Sequence, residues 1–154
     1  MKIYLGADHA GFNLKEKIKG YLRGAGYMIE DQGAFILDPA DDYPDFVTPV
    51  AKQVSAEPNE VLGIIVGGTG QGEAMAANRL PQVRATVYYG GQEEIVKLSR
   101  EHNNANILSL GARFLGEEEA LEAVKMWLAT AYTNDERHER RLKKIDDGGA
   151  VKPF

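Results

Sequence analysis

No cysteine occurs anywhere in the 154 residues. That excludes a disulfide framework, a thiolate metal site and a cysteine nucleophile, and it fits an intracellular protein, with the cytoplasm as the expected location. Histidine is scarce as well. His9, His102 and His138 are the only three, and none stands in HExxH or HxH spacing, so no metal is expected. No apolar run approaches the roughly 18 residues that span a membrane, and the opening MKIYLGADHAG turns polar too early for a signal peptide. Positive charge is in deficit: 18 Lys and Arg face 23 Asp and Glu, for a net charge of −5. Broad nucleic-acid binding needs a dense basic face and is set aside, so any bound anion must be held by a small local cluster.

What is present is an ordinary globular composition, 44% hydrophobic and 27% charged, at a length that suits one domain with its own core. Residues 2–6 read as a buried strand, followed by a helical stripe of Leu14, Ile18, Tyr21, Leu22 and Ala25. A strand at 27–31 leads into a polar stretch with Asp38, Asp41 and Asp42. Tyr43-Pro44 then opens a helix with Phe46, Val47, Val50, Ala51 and Val54 on one face. The run VLGIIV at 61–66 has the near-continuous apolarity of a strand covered on both faces. Helices are expected at 73–79 and 92–101, strands at 84–89 and 107–110, and a late helix striped by Leu121, Val124, Leu128 and Ala131. Strands alternating with helices imply a mostly parallel five-stranded sheet with helices on both sides, a three-layer α/β/α sandwich over residues 1–133. Residues 134–154 form a tail. Its charged part, 134–147, has only Leu142 and Ile145 as a thin edge on which a short helix could dock.

Ligands of open α/β sheets bind beyond the carboxyl ends of the strands. Asp8 and His9 follow the first strand, the loop Gly67-Gly68-Thr69-Gly70-Gln71-Gly72-Glu73 follows the third, and Arg113 follows the fifth. His102 and Asn103 lie between the fourth and fifth strands, and most of these polar residues are expected on one edge. The loop lacks the Lys-Ser/Thr ending of a Walker motif and the position and spacing of a dinucleotide fingerprint. What remains is a chain of backbone N–H groups able to hold an anion, with a carboxylate beside it that would repel a pyrophosphate. Glu73 suits a general base next to a developing enediolate; the competing reading is a tight turn with a glutamate favoured by the helix dipole. In the tail, Arg137 and Arg141 lie one helical turn apart, a costly arrangement unless an anion sits between them, although a solvated charged tail accounts for them too.

With these residues in place, the chain resembles the type B ribose-5-phosphate isomerases and the related galactose-6-phosphate isomerase subunits. The blocks that carry the likeness are GADHAGF at 6–12, DYPDF at 42–46, GGTGQGE at 67–73, AANR at 76–79, SREHNNAN at 99–106, LGARFLG at 110–116 and RHERR at 137–141. The resemblance implies a Rossmann-like sandwich and a homodimer with active sites between subunits, possible pairing of dimers, and no cofactor. It implies that the tail reaches the partner, where Arg137 and Arg141 join His9 and Arg113 on a phosphate. It further implies His102 in ring opening with Asp8 on the sugar hydroxyls, Tyr43, Thr69 and Asn103 lining the pocket, and the amides of Gly68, Thr69, Gly70, Gln71 and Gly72 on the enediolate. His138 falls near the same end of the site. Many such proteins carry a cysteine base at the position of Gly67; this chain is similar to the subgroup with a glutamate six positions on, Glu73. The expected activity is interconversion of ribose 5-phosphate and ribulose 5-phosphate. The alternatives are a six-carbon sugar phosphate as substrate, or a sugar-phosphate-binding module without catalysis.

Overall fold

The computed structural model describes residues 1–148. In chain order it contains β1 (Lys2–Ala7), α1 (Phe12–Gly24), β2 (Met28–Asp31), α2 (Pro44–Ala56), β3 (Val61–Gly67), α3 (Gln71–Ala77), β4 (Ala85–Tyr88), α4 (Glu94–Asn103), β5 (Ile107–Gly111), α5 (Glu117–Ala129) and α6 (Glu136–Asp146). The strands form one sheet in the order β2-β1-β3-β5-β4, and every pairing is parallel. The three-layer α/β/α architecture follows from side-chain alternation along these strands. Leu5, Ile64, Val66, Leu108 and Leu110 pack with Ile18 and Leu22 of α1, Val96 of α4 and Trp127 of α5. Their neighbours Tyr4, Ile65 and Ile107 point the other way, onto Val47, Val50 and Val54 of α2 and Ala77 of α3.

Several boundaries move from the sequence expectation for local reasons. Gly70 takes a left-handed conformation, φ 76°, and caps α3, so that helix starts at Gln71 and places Glu73 in its first turn. Helix α4 runs on to Asn103, where Asn104 at φ 43° closes it, so His102 sits in a helical turn rather than a polar loop. Ala131 lies beyond the end of α5. The stretch after β2 is not uniformly polar, because Phe35, Ile36 and Leu37 stand exposed on it. The tail does form a helix, but the expected apolar edge is half right. Leu142 is buried together with His138, whereas Ile145 is 60% exposed. Residues 149–154 of the tail lie outside the described residues.

One buried charge ties α1 to β2. Lys15 is fully buried, and its Nζ donates to both Asp31 carboxylate oxygens at 2.8 Å and to the Ala34 carbonyl at 2.9 Å. Burial pushes the Asp31 carboxyl upward, but hydrogen bonds from Lys15 and Lys19 outweigh it and hold the group below its usual range. A depressed carboxylate contributes stability above its unfolded pKa and loses it as pH falls through the folded value, so acid should loosen the β2 edge. Removing Asp31 takes two hydrogen bonds from the buried Lys15 and leaves it the Ala34 carbonyl and the Glu16 carboxylate at 3.0 Å. Asp31→Ala is expected to cost about 3–5 kcal/mol in urea unfolding, and a cost below about 1 kcal/mol would show that water reaches Lys15.

Candidate active site

In the order β2-β1-β3-β5-β4, the chain leaves β1 toward one edge of the sheet and β3 toward the other. The exits of β1 and β3 therefore border the switch-point crevice where α/β folds bind ligands. Asp8 and His9 come from the first exit and residues 68–73 from the second. The exit of β5 is pinned to the same place: the Ala112 N–H donates to the Gly67 carbonyl at 2.8 Å and the Arg113 N–H to that of Gly68 at 3.0 Å.

Bare glycine positions in this loop act as seats for side chains from elsewhere. A Cβ on Gly67 would fall 1.7 Å from Oε1 of Glu73 and 2.1 Å from its Cδ, so the carboxylate occupies the volume a side chain at position 67 would need. In the same way the Arg113 guanidinium lies over Gly68, 3.1 Å from the Cβ position, and the Tyr43 ring over Gly72 at 2.9 Å. The loop is braced from below, where the Ser109 hydroxyl donates to the Gly70 carbonyl at 2.6 Å. Thr69 is exposed, and its hydroxyl accepts the Gln71 N–H at 3.2 Å, which makes it a brace of the turn in this state.

Glu73 is only 4% exposed. Burial pushes its carboxyl above the ordinary glutamate range, the nearby Asp8 charge adds to this, and the Glu73 and Gly70 amides with Arg113 partly oppose it. A carboxylate lifted toward neutrality is the form a general base takes when it must both accept and return a proton. Asp8 is itself buried, with Oδ1 accepting the Gly11 N–H at 3.1 Å.

His9 has a partner that the sequence reading left in an undifferentiated acidic stretch. Asp41 Oδ1 lies 2.6 Å from His9 Nδ1 and also accepts the His9 backbone N–H at 3.0 Å. This hydrogen bond, more than the charges of Asp8 and Asp41, raises the imidazole above its usual pKa, and Arg113 pulls the other way. The pair therefore favours the protonated form of the ring beside Arg113. The only signal in the sequence was Asp41-Asp42 just before the Tyr43 block, and nothing there said which acid turns inward. Ligand-capable atoms of Asp8, His9 and Asp41 all lie within 4.8 Å of one another, the one such cluster among the described residues. A metal ion there would have to break the His9–Asp41 contact.

The expectation that His102 and Asn103 share an edge with the other strand-exit residues is corrected by the structure. A crossover helix runs back against the strands, so the end of α4 returns His102 and Asn103 to the starting edge of the sheet, beside Arg84 and Ala85 at the head of β4. Helix α6 docks there too, with the His138 ring stacked on that of His102 at 4.4 Å. Arg137 and Arg141 are exposed on the same helix. The five residues of β5 alone separate the two edges by about 17 Å. Asp8, His9, Tyr43, the glycine loop, Glu73 and Arg113 thus form one half-site, and His102, Asn103, Arg137, His138 and Arg141 form another.

The sequence model of a protein family described as Ribose/Galactose Isomerase matches residues 3–145. The chain belongs to that family. It is 42% identical over 142 residues to ribose-5-phosphate isomerase B of Mycolicibacterium paratuberculosis, which covers 92% of this chain and 87% of that protein. Among solved structures it is similar to ribose-5-phosphate isomerase B of Mycoplasma genitalium with bound ribulose-5-phosphate: TM-score 0.92, 35% identity, 98% of this chain and 97% of that one. The enzyme of the same name from Clostridium thermocellum gives a TM-score of 0.89 at 41% identity, over 96% of each chain. As an isomerase of this family the chain carries its glycine loop and the buried Glu73 at the switch point. No helix among the described residues is long and apolar enough to cross a membrane.

Two variants test this geometry without any substrate. In Asp41→Asn the His9 imidazole should titrate at a lower pH than in the parent, read from its ring C–H resonances by NMR; an unmoved titration means that Asp41 does not set the charge of His9. In Gly67→Ala the new methyl group should expel the Glu73 carboxylate, visible as a relocated side chain in a crystal structure.

Proposed function

We propose that the protein interconverts ribose 5-phosphate and ribulose 5-phosphate, with Glu73 as the base and with each active site assembled from two copies of the chain. The observation that carries the chemistry is the Glu73 carboxylate, buried and held above its ordinary pKa beside the glycine loop. In the open-chain aldose Glu73 takes the proton from C2. The C–H electron pair becomes the C1–C2 double bond, and the carbonyl pair moves onto O1, where the amides of residues 68–72 face the developing charge. Glu73 returns its proton to C1 and the O2 proton passes to O1, leaving the carbonyl at C2. Every atom is accounted for within the sugar, and the step uses only this chain's groups.

Ring opening needs a proton on the ring oxygen, and His102 is the donor in this reading. Its own Glu73 stands across the sheet, so the His102 that works with a given Glu73 belongs to a second copy. A two-fold axis that brings the starting edge of one chain onto the exit edge of the other does so twice, and completes two identical sites. The same placement brings Arg137 and Arg141 of one chain to His9 and Arg113 of the other. Four cationic groups then hold the phosphate of the substrate, so remote binding energy fixes the reacting carbons.

Glu73→Gln should bind substrate and lose about a hundredfold to ten-thousandfold in kcat. Because the base must be ionised and its pKa is raised, kcat should fall on acidification at a pH above the ordinary glutamate range. Near-normal turnover of Glu73→Gln would refute its role as the base. Mixing Glu73→Gln chains with His102→Gln chains, each inactive alone, should restore about a quarter of the parent activity, since half of the random dimers regain one intact site. No recovery after confirmed subunit exchange would place both residues in one chain's site and sink the two-copy reading.

A further inference from the structure

Helices α4 and α6 meet through two imidazole rings. His102, in the last turn of α4, and His138, in the first turn of α6, lie with centroids 4.4 Å apart and planes only 15° from parallel. The two rings are not equivalent. His138 is 5% exposed, and its Nε2 is sealed from solvent with no hydrogen-bond partner, the Asp135 carboxylate standing off at 3.7 Å. His102 is only half-buried, and the neighbouring Asn103 is exposed. His102 therefore forms the outward face of the stack and His138 the backing.

The charged and titratable groups that face His138 are His102 from α4, Asp135 at the cap of α6, and Arg137 and Arg141 on α6 itself. Three of these four are cations or become cations, and the single carboxylate is too distant for a good hydrogen bond. A proton on His138 would sit in a site short of water, against a neighbouring imidazole and two guanidinium groups. Burial first, then His102 and Arg137, hold its pKa below the usual histidine value.

We propose that His138 is a positioning residue for the proton donor: a flat, buried ring stacked on His102 that fixes the plane of the donor. This rests on the isomerase reading and changes the part the family resemblance suggested for His138. A side chain this deeply covered stands behind His102, not in the path of a sugar. The need is geometric. A donor must come within hydrogen-bond reach of the ring oxygen, and a misplacement of about 1 Å can cost on the order of a hundredfold in rate. A side chain at the open end of a helix has two free torsions, and a flat backing removes much of that freedom.

The test uses the full chain with His138→Ala, His138→Phe and His102→Gln. His138→Ala should lower kcat on the order of tenfold to a hundredfold while KM stays near the parent value, because the phosphate grip lies on other residues. His138→Phe restores the flat backing and should recover most of that loss. It should also keep the fall in kcat at alkaline pH that reports the donor, whereas His102→Gln abolishes it. His138→Phe should melt no lower than the parent, since an unsatisfied buried nitrogen is replaced by apolar ring. Full turnover in His138→Ala overturns the proposal, and so does a His138→Phe enzyme as inactive as His102→Gln. An NMR titration of both ring C–H groups needs no activity, so it separates this inference from the isomerase reading. His138 should titrate below the usual histidine value, as a covered ring does, and a His138 that titrates like an exposed histidine refutes the stacked, buried backing.

Discussion

Parallel strands cannot be joined by hairpins; each must be followed by a return path that carries the chain back to the starting edge. In this protein that path is a helix after almost every strand, and it determines where chemistry can gather. Loops that follow strands collect at one edge of the sheet, and loops that follow helices collect at the other. Asp8, His9, Glu73 and Arg113 are of the first kind, and His102 and Asn103 of the second. The separation of the two half-sites is therefore a consequence of the all-parallel topology, and it is this separation that the proposed two-copy site answers.

Within the exit-edge half-site the decisive feature is an exchange of volume. Gly67 ends the central strand with no side chain, and the Glu73 carboxylate fills the vacancy from the next helix. The two positions are coupled, since nothing larger than hydrogen at 67 is compatible with a buried carboxylate at 73. Arg113 over Gly68 and Tyr43 over Gly72 repeat the device, so the loop is a row of seats whose occupants arrive from α3, α2 and the exit of β5. The loop is braced by the Thr69–Gln71 contact and anchored from below by Ser109.

Two acids show how an acidic protein holds local charge. Asp31 pairs with the buried Lys15 and fastens β2 to α1, a structural use. Asp41 does the opposite kind of work: it raises the pKa of His9 and so favours a protonated ring beside Arg113. Removing either acid changes its partner, but the first loss is read in stability and the second in the charge of the site.

The elements with strong periodicity were legible in the sequence. The run VLGIIV, the stripes of α1, α2 and α5, and the alternation of strand and helix need only local pattern, because burial on both faces or on one stripe leaves its mark on neighbouring residues. The chemical identities at the strand exits were legible for the same reason, and the loop could be recognised as something other than a nucleotide cradle. Three matters were decided only by the tertiary structure. The inward turn of Asp41 toward His9 depends on a contact 32 residues apart along the chain. The end of α4, extended to Asn103, carried His102 to the far edge, where reading along the chain had placed it near Glu73. The stack of His138 on His102 requires α6 to fold back on α4, and nothing in a run of charges such as NDERHERR specifies which ring will be covered. Sequence records what each residue offers and its local period, while proximity across a sheet is set by the direction in which the helices return.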